Sequence, residues 1–111
     1  MNNFNIIKKQ FFLKEFHKII VKIEKIIDAY SGKKDIECEI DADVFSIIIN
    51  NKKKIIINKR ENLKQIWMAN QETGYHFNYD GTKWICLRKK IEFWQALKDS
   101  LNKELQDYIN I

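Results

Sequence analysis

The strongest constraint on the fold is a hydrophobic period that changes twice along the chain. From residue 5 to about Tyr30, Phe12, Phe16, Ile19, Ile20, Ile23, Ile26, Ile27 and Tyr30 recur at steps of three and four, the spacing of one helix face. Lys14, Lys18, Lys22 and Lys25 take the opposite side. Between Asp35 and Leu87 the pattern becomes short runs of period two, the mark of half-buried strands. From Ile91 to Tyr108 the helical period returns, with Phe93, Trp94, Leu97, Leu101, Leu105 and Tyr108 on one stripe. Each terminal helix has a single apolar stripe to bury. Two such helices at the ends of an antiparallel meander must therefore cover the same sheet face. The expected fold is α+β: a two-layer sandwich of two terminal helices on one face of an antiparallel sheet of about six strands, with the other face in water.

Turn chemistry divides the middle of the chain. Ser31-Gly32 ends the first helix, with Gly32 suited to a left-handed cap. The first strand is Asp35 to Ile40, with Ile36, Cys38 and Ile40 facing in and Asp35, Glu37 and Glu39 facing out. Asp41-Ala42-Asp43 is a turn, Val44 to Asn50 the second strand and Lys54 to Lys59 the third, joined by a hairpin loop at NNKK. Gln65 to Asn70, Tyr75 to Tyr79 and Trp84 to Leu87 complete the six. Gly81 in DGTK is placed for positive φ.

A chain of 111 residues without proline, repeat or linker forms one domain, residues 1–111, with a modest core. No apolar run approaches the roughly 20 residues of a membrane helix. The first residues, MNNFNIIKKQFF, lack the apolar core and cleavage site of a signal peptide, so a cytoplasmic protein is expected. Cys38 and Cys86 stand far apart, in no zinc-like spacing, and read as small core residues.

The net charge of +5 invites a nucleic-acid reading. Two features weaken it. Ile, Lys and Asn make up 49 of the 111 residues, a skew that adds lysine to any solvated surface. The charge is also uneven. Residues 24 to 43 carry seven acids (Glu24, Asp28, Asp35, Glu37, Glu39, Asp41, Asp43) against three bases (Lys25, Lys33, Lys34), a local net of −4. This acidic island runs against the composition and is the more informative feature. The basic residues are scattered, as in Lys52-Lys53-Lys54 and Arg88-Lys89-Lys90, without a nucleic-acid-binding signature.

Catalytic constellations are missing from the sequence. There are two histidines, no GxSxG, and three glycines (Gly32, Gly74, Gly81) that build no phosphate loop. His76 alternates with Tyr75 and Phe77 and belongs to the opposite sheet face. His17 shares a helix stripe with Val21, Glu24 and Asp28. Glu24 and Asp28, four apart, share a helix face. Asp35, Glu37 and Glu39 share a strand face, and packing the helix beside that strand brings the two rows to one edge. Carboxylates without thiolates suit hard cations such as Fe²⁺, Fe³⁺, Mn²⁺ and Ca²⁺. An edge strand also carries such charges simply to block aggregation.

The run IIINKRENLKQIWMANQETGYHFNYDGTKWIC resembles the frataxin family. The family's ordered pattern falls on Asn58, Lys59, Gln65, Ile66, Trp67, Gly74, Tyr75, Phe77 and Trp84. DIECEI before it and EFWQALKDSLNKEL after it extend the likeness over residues 10 to 105. Arg60 stands where the family usually has glutamine, and Asn62 where it usually has proline, both expected in a loop. Lys25, Ala29, Ser31, Lys33 and Lys34 occupy positions where acids are common. The resemblance implies iron (Fe²⁺ or Fe³⁺) bound weakly on an acidic ridge of Glu24, Asp28, Asp35, Glu37 and Glu39. It also implies docking on an IscS-type cysteine desulfurase and its Fe–S scaffold protein, with no catalytic residues in that role. A monomer is expected because nothing in the sequence suggests an obligate dimer. Trp67, with Asn58 and Gln65, would form the outward sheet surface used for the partner, an aromatic anchor among polar neighbours. Trp84 and Trp94 are assigned to packing. The alternatives are an enzyme that oxidises Fe²⁺ and stores iron, and a basic nucleic-acid-binding module.

Overall fold

The computed structural model describes residues 7–111. Residues 5 and 6, placed in the first helix from the sequence, lie outside the described part. Helix α1 spans Lys9–Asp28 and helix α2 spans Phe93–Leu105. Between them run β1 (Ile36–Asp41), β2 (Val44–Ile49), β3 (Lys52–Arg60), β4 (Gln65–Ala69), β5 (Gly74–Tyr79), β6 (Trp84–Cys86) and β7 (Ile91–Glu92). Every strand pairs antiparallel with the next, giving one meander in the order β1 to β7. The strand count is seven rather than six. Lys90 adopts φ 54° and reverses the chain, so Ile91 and Glu92 pair with Cys86 and Ile85 instead of opening the helix. Glu92 then caps α2, its carboxylate accepting from the backbone N–H groups of Trp94 and Gln95.

The apolar stripes meet in one core. Phe12, Ile19, Ile20, Ile23 and Ile27 of α1 and Phe93, Ala96, Leu97, Leu101 and Leu105 of α2 cover Phe45, Ile47, Ile49, Ile55, Ile57, Ile66, Met68, Phe77, Trp84 and Cys86 of the sheet. Trp84 meets Phe12 edge-on at 5.8 Å, and Trp94 packs edge-on against Phe93 with Lys22 over its ring.

The β2–β3 hairpin turns at Asn50-Asn51, both at positive φ (51° and 69°), where the right-handed twist of the strands favours a left-handed pair and asparagine tolerates it best after glycine. Gly81 sits at φ 109° as the DGTK turn requires, and Asp80 Oδ1 accepts from the backbone of Thr82 and Lys83. Gly32 serves a different purpose from a left-handed cap. α1 closes through Ala29 in right-handed conformation, and a Cβ on Gly32 would collide with the Tyr30 ring. Tyr108, placed on the buried stripe by period, is 89% exposed. Gln106 breaks α2 in left-handed conformation, and the chain folds back so that Ile109 is buried in its place. Ile40 faces the helix layer as its parity requires but stays 61% exposed. It lies on the rim of a groove with Leu13, Phe16, His17 and Ile20 of α1 that the helix leaves open.

Candidate functional site

Two surfaces carry the chemistry, one at the β1 edge and one on the open sheet face. At the edge, Cys38 points toward α1 and is half-buried. Its thiol is pushed up to about 12, first by burial and then by the carboxylates of Glu24, Asp28 and Glu37. Glu24 and Asp28, on one face of α1 by their four-residue spacing, thus lie close enough to Cys38 to act on its charge. Glu37 and Glu39 flank Cys38 in sequence, so the period of two sends them to the other side of the strand. β1 therefore stands between the two rows, with Asp35 at its start. Asp35 is tied there by a mutual bond pair with Asn50: its N–H donates to Asn50 Oδ1 at 3.1 Å, and its carbonyl accepts from the Asn50 N–H at 2.9 Å.

This geometry decides what the ridge can hold. Among the described residues, no three His, Cys, Asp or Glu side chains converge closely enough to grip a metal ion. Glu39 is engaged by Lys53 at 3.0 Å, while Glu24, Asp28, Asp35 and Glu37 form no ion pair among the described residues. Four uncompensated carboxylates on the two sides of one edge strand offer hard oxygen donors to a hydrated cation. Donors spread in this way suit a loosely held, hydrated hard cation rather than a caged one. His17 is exposed at the groove beside Ile40 and stands apart from these donors.

The open face is built by register. Asn58 of β3, Trp67 of β4 and His76 of β5 are direct cross-strand partners. The Trp67 indole lies flat on the His76 imidazole, with centroids 3.9 Å apart and planes 10° from parallel. The Arg60 guanidinium carbon lies 3.9 Å from the same indole centre. Two groups cannot occupy one spot, and β3 and β5 flank β4, so Arg60 and His76 cover opposite faces of the ring. The indole N–H donates to Gln65 Oε1 at 2.8 Å, and Gln65 Nε2 donates to Asn78 Oδ1 at 3.3 Å. Trp67, Asn58 and Gln65 thus lie together on the open face as the sequence places them, but both ring faces are already occupied. What is offered outward is the edge of a three-layer Arg60–Trp67–His76 stack. Burial holds the His76 pKa below its usual value, and Arg88 and Arg60 push the same way.

Sequence reasoning missed Arg60 and His76 as parts of this site. Arg60 is the last residue of β3, paired with Gln65, and not a loop residue. Only Asn62 falls in the connecting turn, a single 3₁₀ turn at Glu61–Leu63 closed by Lys64 at φ 53°. The available signal was parity. Arg60 shares a face with Asn58 by parity, while the register of β3, β4 and β5 is what brings Trp67 and His76 to the same surface.

A seven-stranded meander, two terminal helices on one face, an acidic edge and an aromatic open face together define a frataxin-type domain. The family model described as "Frataxin-like domain" matches residues 6–107, and the chain belongs to that family. It is 42% identical to the iron-sulfur cluster assembly protein CyaY of Buchnera aphidicola, across 99% of this chain and 97% of that protein. A frataxin from Psychromonas ingrahamii superposes with a TM-score of 0.82 at 26% identity, covering 94% of this chain and 97% of that one. Trimeric frataxin from the yeast Saccharomyces cerevisiae, solved with ferrous iron, has the same fold, with a TM-score of 0.68 at 19% identity over 91% of this chain and 88% of that one. No described helix is long and apolar enough to cross a membrane.

Proposed function

We infer that this chain is a non-catalytic, iron-binding protein of iron–sulfur cluster assembly, acting as a cytoplasmic monomer. It binds Fe²⁺ or Fe³⁺ weakly at Glu24, Asp28, Asp35, Glu37 and Glu39, and docks on an IscS-type cysteine desulfurase and its scaffold protein. The observation that carries this reading is the end-to-end 42% identity to a protein named for iron-sulfur cluster assembly. The geometry supports it. Exposed carboxylates that do not converge favour fast, weak exchange of a hard cation. A rigid stack of Arg60, Trp67 and His76 has the make-up of an interface anchor, since aromatic and arginine side chains lose little freedom on contact.

Docking through the ridge requires a basic surface on the desulfurase. The seven acids and three bases of residues 24 to 43 act within a Debye length of about 8–10 Å, while the overall charge of +5 opposes long-range approach. Binding is therefore steeply salt-dependent. Calorimetric titration of the desulfurase with this protein at low and high salt tests the point: affinity falls as salt rises, and an affinity independent of salt contradicts docking through the ridge. Oxygen uptake on adding Fe²⁺ separates this role from ferroxidase chemistry, which predicts consumption in proportion to iron.

A further inference from the structure

The open sheet face carries a charge pattern that the acidic ridge does not explain. The sequence contains 18 lysines and only two arginines, Arg60 and Arg88. Arg60 covers the Trp67 ring, and Arg88 stands two residues past the end of β6, the strand paired with the His76 strand β5, so both arginines border the same stack. Lysine is the default base of this composition, and the two exceptions fall on one surface. Arginine differs from lysine in its planar fork of N–H donors, which matches a carboxylate with two parallel bonds. Arg60 is also preorganised, because its guanidinium is held flat against Trp67 at 3.9 Å. Its N–H edges are then free to face a partner at little further cost in side-chain entropy.

The surroundings leave this positive charge unanswered. The side chains facing out from β3 to β6 near the stack (Asn58, Gln65, Trp67, His76, Asn78 and Ile85) include no carboxylate; on the same face Glu92, opposite Ile85, is engaged in capping α2, and Asp41 lies beyond Val44 on β1. Arg60 also lines an open cleft of about 720 Å³ between the β1–β2 turn and the β3–β4 connection. The two acids of that cleft are already matched: Asp43 pairs with Lys59 at 3.5 Å, and Glu61 pairs with Lys9 at 3.0 Å. Among the described residues neither Arg60 nor Arg88 forms an ion pair.

We propose that the open face takes an acidic segment of a protein partner, with Arg60 and Arg88 each receiving a carboxylate and the edge of the Trp67–His76 stack forming the floor between them. The proposal rests on the docking reading above and adds the partner's chemistry. The protein then presents two surfaces of opposite sign, an acidic edge at β1 and a cationic face over β3 to β6, and each selects a partner region of the other sign. A nucleic-acid backbone is the weaker match. Two arginines make a short row for phosphates, and both faces of the Trp67 ring are filled, so no base can stack there.

The test uses a polyglutamate peptide as probe and an oligothymidylate of matched length as the competing class. Heteronuclear NMR is run on the whole ¹⁵N-labelled protein. The expected result is a shift of the Trp67 indole N–H and of the Arg60, His76 and Arg88 resonances with polyglutamate. Arg60→Gln and Arg88→Gln each weaken binding about tenfold, and Lys98→Gln, the same charge change on exposed helix surface, leaves it unaltered. Arg60→Gln installs the residue usual in the family, so loss of fold does not confound it; an unchanged spectrum away from the site confirms this. Equal weakening by Lys98→Gln, shifts centred on Lys52 and Lys53, or tighter binding of oligothymidylate at the same residues each overturn the proposal. The Arg60→Gln/Arg88→Gln protein is also titrated with Fe²⁺ and with the desulfurase. If polyglutamate fails to bind the unaltered protein while that protein still binds iron and the desulfurase, the acidic-partner inference is wrong and the functional reading stands. If iron and desulfurase binding are absent from the unaltered protein, the functional reading is the one that fails.

Discussion

Replacing Trp67 with alanine separates what the stack does for the fold from what it does for docking. The substitution removes three interactions. The indole bond to Gln65 at 2.8 Å is worth about 1 kcal/mol net at a half-exposed position. The stack on His76 at 3.9 Å contributes about 0.5–1.5 kcal/mol. The Arg60 contact, partly in water, contributes about 0.5–1 kcal/mol. These share one ring and are not independent, so the expected loss is about 2–3 kcal/mol. A chain of 111 residues has a total stability of roughly 6–17 kcal/mol, so the variant stays folded. In urea, with m of about 1–3 kcal/mol/M, the midpoint falls by roughly 1 M. Trp67→Phe keeps a ring between Arg60 and His76 and loses only the indole bond, so its midpoint falls by less than half as much. A midpoint for Trp67→Ala within about 0.2 M of the unaltered protein would refute the reasoning, because the stack would then contribute nothing to the sheet.

Three further outcomes follow from particular contacts. Asn70 donates to Ser100 Oγ at 2.9 Å and accepts at 2.8 Å from the N–H groups of both Glu72 and Thr73, tying the β4–β5 turn to α2. Asn70→Ala is expected to cost about 2 kcal/mol and to lower Tm by roughly 8 °C, and an unchanged Tm by calorimetry contradicts the tie. Burial, then Arg88 and Arg60, hold the His76 pKa below its unfolded value near 6.5. The stability this group contributes is present above that value and is lost as pH falls through the lower folded pKa. Tm should therefore drop more between about pH 7.5 and pH 5 in the unaltered protein than in His76→Phe, and the reverse order counts against the assignment. Burial and the neighbouring Glu24, Asp28 and Glu37 carboxylates push the Cys38 thiol up to about 12. Iodoacetamide near pH 8.5 should alkylate it slowly in the native protein and quickly in urea, and rapid native labelling located at Cys38 by mass spectrometry contradicts the burial and charge described for β1.

Much of the architecture was written in two periodicities. The α1 stripe, the alternation of β1 to β6 and the α2 stripe translate directly into layers because each element buries a single face. The misreadings share one cause: a periodic pattern does not say where an element stops. Tyr108 continues the helical spacing, yet Gln106 has already turned the chain. Ile91 fits the stripe of α2, yet Lys90 at positive φ returns it to the sheet. Gly32 has the composition of a cap, and only the position of the Tyr30 ring reveals that it is there for space. The acidic edge was legible as a set of residues but not as a site. Spacing groups Glu24 with Asp28 and Glu37 with Glu39, while the strand between them, marked by Cys38, keeps the two rows on opposite sides. On the open face, Trp67, Asn58 and Gln65 could be placed from sequence. The partners that fill both sides of the indole required the register of three strands at once, and no local pattern contains that.

The proposed iron site, Glu24, Asp28, Asp35, Glu37 and Glu39, is spread over two sides of β1. Its most direct test is an anaerobic titration of the ¹⁵N-labelled protein with Fe²⁺, read by paramagnetic broadening. The account predicts broadening confined to Glu24, Asp28 and residues 35 to 39, in fast exchange and reversed by a chelator. Broadening spread evenly over the surface, or none at that edge, contradicts it.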